Sequence, residues 1–293
     1  MRKALVQGVE KELEENETSI LLLGDIGVYG FKTSFEKYPS RVYNIGICEQ
    51  SMVSLAAGIA LEGMIPTIHT IAPFVVERAL EQIKIDFGYQ ILGGNIVTVG
   101  SSIDYASLGC THHCPGDVSI LLNVPDVQIL VPGHAEEFLA LYGETARNES
   151  LTYTRLSEGS NTNPMAVEFG KGLVLQEGTR ATVICVGPTL DQTMEACKNL
   201  DVTILYYTTI FPFDGALLQN NYNDGKILLV EPFYSHTLSP LIVANLKLRK
   251  LQISSVGIPR NFLRAYGGTE EHYERIGLTA ENIRTALLEL INA

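Results

Sequence analysis

Cys110 to Cys114, CTHHC, set two thiols and two imidazoles within five consecutive residues. Both side-chain types bind metals, and imidazole also moves protons. A structural zinc site usually combines one short ligand pair with a second pair well separated in sequence, so that four side chains wrap the ion tetrahedrally. Four ligands in five residues wrap poorly, and no second Cys/His pair suits the job. The residue types therefore point first to an imidazole that catalyses or binds substrate, with a metal site and an incidental loop as the other readings. Glu49, in IGICEQSMV, is the second candidate. A Glu in the first turn of a helix complements the helix dipole and need do nothing more. Its neighbours Ile45, Ile47, Met52 and Val53 are apolar, however, and a carboxyl buried among them is able to donate or share a proton. Asp25, in GDIG, is either a turn or capping residue or part of a phosphate-binding turn. The chain has neither G-x-G-x-x-G nor a Walker sequence, which argues against a self-contained nucleotide site. Arg2 and Arg155 are lone arginines near element ends.

The elements that must carry these residues follow from short apolar runs bounded by Gly, Pro or Asp. SILLLGD, RVYNIG, NIVTVGS and VQILVP read as strands buried on both faces, while residues 49–63 and 73–87 have helical length and spacing. That alternation predicts a mainly parallel sheet covered by helices, an α/β fold. A second series follows the polar stretch SEGSNTNP: ATVICVG, a helix near 190–200, VTILYYT, KILLVEP, a helix near 238–248, ISSVGIP and a final helix from Ala280. Two domains are expected, 1–165 and 166–293, each a mainly parallel sheet flanked by helices. Ligands of open α/β sheets sit beyond the carboxyl ends of the strands. GDIG, NIGICEQ and the loop 101–115 all fall there, so Glu49 and CTHHC share an edge.

The composition bounds the partners. With 293 residues, 46% of them hydrophobic, the chain is long enough for two cores. Its 33 acidic against 21 basic residues give a net charge of -12 that repels a nucleic acid backbone. No apolar run approaches the roughly 20 residues of a membrane span, and the first residues read as an amphipathic helix, not a signal peptide. Five Cys, an odd count, read as reduced thiols. The expectation is a soluble, cytoplasmic protein that contacts neither nucleic acid nor membrane.

Taken in order, G-I-x-E-Q at 46–50, R-A-x-x-Q at 78–82, T-H at 111–112 and the run VPDVQILVP resemble the C-terminal half of the transketolase family, strongly over 41–156 and weakly over 170–293. The resemblance implies a thiamine diphosphate enzyme with a pyrimidine-binding domain followed by the family's C-terminal domain. Glu49 falls on the family's catalytic glutamate, which hydrogen-bonds the pyrimidine ring and so lets the cofactor generate its carbon nucleophile. Phe74 matches an aromatic that stacks on the pyrimidine, Ile71 stands where another aromatic is usual, and Asp25 falls on a turn that helps build the cofactor site. His112 matches the substrate-facing histidine of the T-H loop, and His113 beside it replaces a common Gln. Arg155 and Arg2 match arginines that receive a sugar phosphate. Leu80 replaces a common Tyr, and Leu108 stands where an acidic residue is usual, which implies substrates other than those of the pentose phosphate pathway. The family's diphosphate-binding G-D-G is absent from the sequence, which implies a separate N-terminal subunit that holds the diphosphate through Mg2+, Ca2+ or Mn2+, in an α2β2 assembly. No metal is expected on this chain. The implied reaction is transfer of a two-carbon ketol unit from a ketose to an aldehyde acceptor, both small sugars or sugar phosphates. The alternatives are the β subunit of a 2-oxo acid decarboxylating complex, a 1-deoxy-sugar-forming synthase, and a non-catalytic subunit of the same fold.

Overall fold

The run SILLL forms β1 (Ser19–Leu23), and all five of its residues are buried. Successive side chains of a strand point to opposite faces, and the two sets serve two cores. Ile20 and Leu22 join one hydrophobic cluster, and Leu21 and Leu23 join another. In this computed structural model, which describes residues 1–223, 225–247 and 250–293, β1 lies between β2 (Val42–Asn44) and β3 (Ile65–Ile71), followed by β4 (Gly94–Val99), β6 (Leu151–Arg155) and β5 (Gln128–Leu130), all parallel. β2 is the edge strand, so Tyr43 and Asn44 are exposed and the expected two-faced burial of RVYNIG does not hold. A seventh strand closes the opposite edge: β10 (Thr209–Phe211), from the second half of the chain, pairs antiparallel with β5.

One face of this sheet carries α1 (Arg2–Glu15) and α7 (Ala135–Thr145), which bury Leu5, Val9, Phe138 and Tyr142 against Leu21 and Val97. α2 (Lys32–Lys37) precedes the edge strand. The other face carries α3 (Glu49–Leu61), whose Met52, Val53, Ala56 and Ala57 repeat at helical spacing and pack on Ile68. Residues 73–87 are a broken helical run instead of one helix: α4 (Ala72–Val76), α5 (Leu80–Gln82) and a π-helical turn over Ile83–Tyr89. α6 (Asp117–Leu121) completes this layer.

The second sheet runs β12 (Gln252–Ile258), β11 (Lys226–Tyr234), β8 (Thr182–Val186), β9 (Thr203–Tyr207), β7 (Gly172–Gln176), parallel except for β7. Val183, Cys185, Leu228 and Val230 face α8 (Leu190–Ala196) and α12 (Ala280–Asn292). Ile184, Val186, Leu205 and Leu229 join the same cluster as Ile68 and Ile96 of the first sheet, together with Leu218 of α9 (Gly215–Asn221) and Ile242 of α10 (Ser239–Leu246). The two sheets therefore share one core. The helix expected near 238–248 ends at Leu246, and residue 248 lies outside the described residues. α11 (Thr269–Ile276) leans on the loop that follows β4. Among the described residues, no helix is long and apolar enough to cross a membrane.

Candidate active site

Because the strands of the first sheet are parallel, the carboxyl ends of β1, β2, β3, β4 and β6 lie along one edge, and most of the residues singled out from the sequence gather there. Glu49 is the first residue of α3 and is fully buried. Its Oε2 accepts a hydrogen bond from Arg78 Nη1 at 2.7 Å, whereas Oε1 is buried without a partner. Buried carboxylate oxygens are seldom left unsatisfied, so the orphaned Oε1 marks a place for a donor or shared proton from a ligand. Arg78 sits in the break between α4 and α5, and its guanidinium carbon lies 4.6 Å from the centroid of Phe74. Phe74, in α4, meets His112 edge-on with ring centroids 5.2 Å apart.

His112 is half-buried in a short 3-10 turn, Cys110–His112, with Nδ1 2.9 Å from the Thr111 hydroxyl. Tyr105 also meets it edge-on, at 6.1 Å between centroids. The Tyr105 hydroxyl accepts a hydrogen bond from Arg2 Nη2, and Arg2 also lies 3.4 Å from Glu158. Glu49, Arg78, Phe74, His112, Tyr105 and Arg2 thus form a continuous line. At its far end Arg2, Lys3, Gly100, Ser157 and Glu158 line an open cavity of about 630 Å³. Gly100 has φ +71, and a Cβ there would collide with the Tyr105 ring, so only glycine lets the tyrosine come this close to the end of β4.

The four polar side chains of CTHHC diverge. Cys110 is exposed; Cys114 is buried, with Sγ 3.8 Å from Glu77 Oε1, and burial raises its thiol well above the ordinary range. His113 packs edge-on against His272 of α11, 5.8 Å between centroids, with both Nε2 atoms unpartnered, whereas His112 packs on Phe74 and Tyr105. Burial, with His272 and His112 nearby, lowers its basicity. Among the described residues, no group of three or more His, Cys, Asp or Glu is arranged to hold a metal ion.

Arg155 departs furthest from expectation. It is fully buried; Nε donates to Asp117 Oδ2 at 2.7 Å, and Nη2 donates to Ser102 Oγ at 2.6 Å and to the Pro232 carbonyl at 3.1 Å. Its Nη1 is buried without a partner. The side chain ties β6 to the loop after β4 and to β11. Asp25 is exposed with φ +66, and its N–H and Oδ1 are both held by the Asn44 side chain. Ile71 is buried at the end of β3. Sequence reasoning missed Arg78 as a site residue, although it lies inside the quoted R-A-x-x-Q run. It also missed His69 of β3, whose Nδ1 lies 2.8 Å from the Val97 carbonyl and which burial pushes down to about 4, leaving the ring neutral at pH 7.

Residues 1–162 match the family described as transketolase, pyrimidine binding domain. The chain is 37% identical over 279 residues to an uncharacterized 33.6 kDa protein in the fasciation locus of Rhodococcoides fascians, covering 94% of this chain and 89% of that one. It is 32% identical to a 1-deoxy-D-xylulose-5-phosphate synthase of Magnetococcus marinus, covering 88% of this chain but only 44% of the synthase. It is 29% identical to an apulose-4-phosphate transketolase subunit of Actinobacillus succinogenes, covering 66% of this chain and 65% of that subunit. Among solved structures, one described as a split gene transketolase, inactive β4 tetramer, superimposes with a TM-score of 0.87 over 99% of this chain and 97% of that one, at 24% identity.

Proposed function

The chain belongs to the transketolase family, and from that premise we propose that it is the β-type subunit of a two-chain, thiamine diphosphate-dependent ketol transferase. A separate subunit would hold the diphosphate through a divalent metal. The observation that carries this reading is the enclosed, unpartnered Oε1 of Glu49, on the same line of side chains as Phe74 and His112. A carboxyl with one free oxygen beside an aromatic ring fits the pyrimidine half of the cofactor, which offers a ring nitrogen to the one and a flat face to the other. When bound, thiamine diphosphate supplies the carbon nucleophile that cleaves a ketose. Glu49 then holds or shares the proton at the pyrimidine ring nitrogen, and Phe74 orients that ring. His112, half-buried and steadied by Thr111 and Tyr105, donates a hydrogen bond to a substrate oxygen or moves its proton. Arg2, exposed at the mouth of the cavity, offers a guanidinium to an anionic group of the substrate.

The two-chain arrangement draws support from the relatives. The synthase is more than twice the length that this chain matches, whereas the fasciation-locus protein is of similar length and the apulose-4-phosphate enzyme is named as a subunit. A second reading, formation of a 1-deoxy sugar, is favoured by the 32% identity to the synthase. Calorimetric titration of thiamine diphosphate with Mg2+ tests the cofactor assignment. Binding is expected to be far tighter to the mixture of this chain with a diphosphate-domain partner than to this chain alone, which offers only the pyrimidine contacts; equally tight binding by the lone chain refutes the two-chain site. Supplying the reconstituted pair with ketose donors and, separately, with 2-oxo acids then separates ketol transfer from decarboxylation and from 1-deoxy sugar formation.

A further inference from the structure

Arg78 has no task in the function proposed above, yet it makes the hydrogen bond that Glu49 does have. Its Nη1 donates to Glu49 Oε2 at 2.7 Å while its guanidinium covers the Phe74 ring, 4.6 Å from the centroid. A guanidinium is planar, cationic and edged with N–H donors. An aminopyrimidine would engage the same carboxyl and the same ring through the same features, a flat face and a donor edge. Glu49 is enclosed, with 1% of its side chain accessible, whereas the Arg78 side chain is 41% exposed. The arginine therefore reaches the carboxyl from the solvent side and has somewhere to go. Its backbone lies in the break between α4, which ends at Val76, and α5, which begins at Leu80, so leaving does not require a helix to unwind.

Resting on the cofactor reading, we infer that Arg78 is a placeholder: in the cofactor-free chain its guanidinium stands on Phe74 and caps Glu49 where the pyrimidine half of the cofactor must go, and it swings to solvent when that ring enters. The placeholder spares Glu49 from standing as an uncompensated buried charge before assembly. It also lowers the apparent affinity for the ring by the fraction of time that it occupies the seat.

The test needs neither the partner nor a metal. The probe is 4-amino-5-hydroxymethyl-2-methylpyrimidine, titrated calorimetrically into the full chain and into Arg78→Ala. The variant is expected to bind it about tenfold tighter, because no occupant has to be displaced. Free guanidinium ion is expected to compete with the probe in Arg78→Ala at about a tenth of the concentration needed in the parent, where Arg78 opposes it too. Arg78→Met, which keeps the aliphatic stem but cannot cap the carboxyl, is expected to gain in the same direction and guards against a poorly folded alanine variant. Equal affinities in the parent and both variants overturn the placeholder, and so does failure of all three to take the probe. Either result alongside thiamine diphosphate binding by the reconstituted pair removes the placeholder and leaves the proposed function standing. Absence of cofactor binding by the pair removes both.

Discussion

Glu49 and Arg155 are both buried, and their neighbours give them opposite uses. Each has one buried atom without a partner, Oε1 of Glu49 and Nη1 of Arg155; but Glu49 is otherwise held only by the half-exposed Arg78, whereas Arg155 is tied to Asp117, Ser102 and Pro232 and so holds the fold. Two outcomes follow. Glu49→Gln in the reconstituted pair is expected to lower turnover by about 10²–10⁴-fold with little change in the thermal midpoint, as measured by steady-state rates beside a melting curve. Asp117→Ala leaves the Arg155 charge uncompensated in the interior and is expected to destabilise the chain by about 3–5 kcal/mol, read from denaturant unfolding. The sequence distinguished these residues only in part. Glu49 was legible because apolar neighbours on both sides announce burial. The enclosure of Arg155 was illegible because its partner, Asp117, lies 38 positions away, and no local pattern links an arginine at a strand end to a carboxylate in an earlier helix turn. Arg78 was missed for the same reason, since its meaning depends on Glu49, 29 positions earlier.

Among elements, the loop after β4 carries His112 and also a pH dependence. Asp104 is buried in it, with Oδ2 accepting from the Ser101 hydroxyl and the Glu158 N–H. Burial raises its carboxyl from the ordinary 3.8 to about 7. The unfolded chain ionises this group first, so from about pH 4 to pH 7 the folded chain binds the extra proton and stability falls as pH rises. Asp104→Asn keeps an oxygen acceptor without the charge. It is expected to match the parent near pH 4 and to exceed it by ~2–4 kcal/mol at pH 8, checked by denaturant unfolding at both pH values. The elements themselves were unevenly legible. β1 and β4 announced themselves as apolar runs, and α3 by its spacing. β3, IPTIHTI, did not, because Thr67, His69 and Thr70 break the apolar pattern; two of them are reconciled with burial only by partners elsewhere, Tyr142 for Thr67 and the Val97 carbonyl for His69. The break in residues 73–87, which carries Arg78, had no proline or glycine inside it to signal it.

The whole molecule is less divisible than its two series of strands imply. β10 belongs by sequence to the second half and by hydrogen bonding to the first sheet, and the hydrophobic cluster around Ile68 and Ile96 extends to Leu205 and Leu229. A piece ending at residue 165 is therefore expected to expose the β5 edge and half of that cluster, and to self-associate. Size-exclusion chromatography with light scattering checks this, and a stable monomer would contradict it. β10 was illegible because three residues, TIF, are too few to show a period and pair with a strand far earlier in the chain. The same strand sets a schedule for synthesis. β5 is finished at Leu130 but its neighbour begins at Thr209, so at about 5–20 residues per second the ribosome leaves that edge bare for roughly 4–16 s. A nascent chain of this protein therefore passes that interval with one edge of β5 open to pairing with other chains.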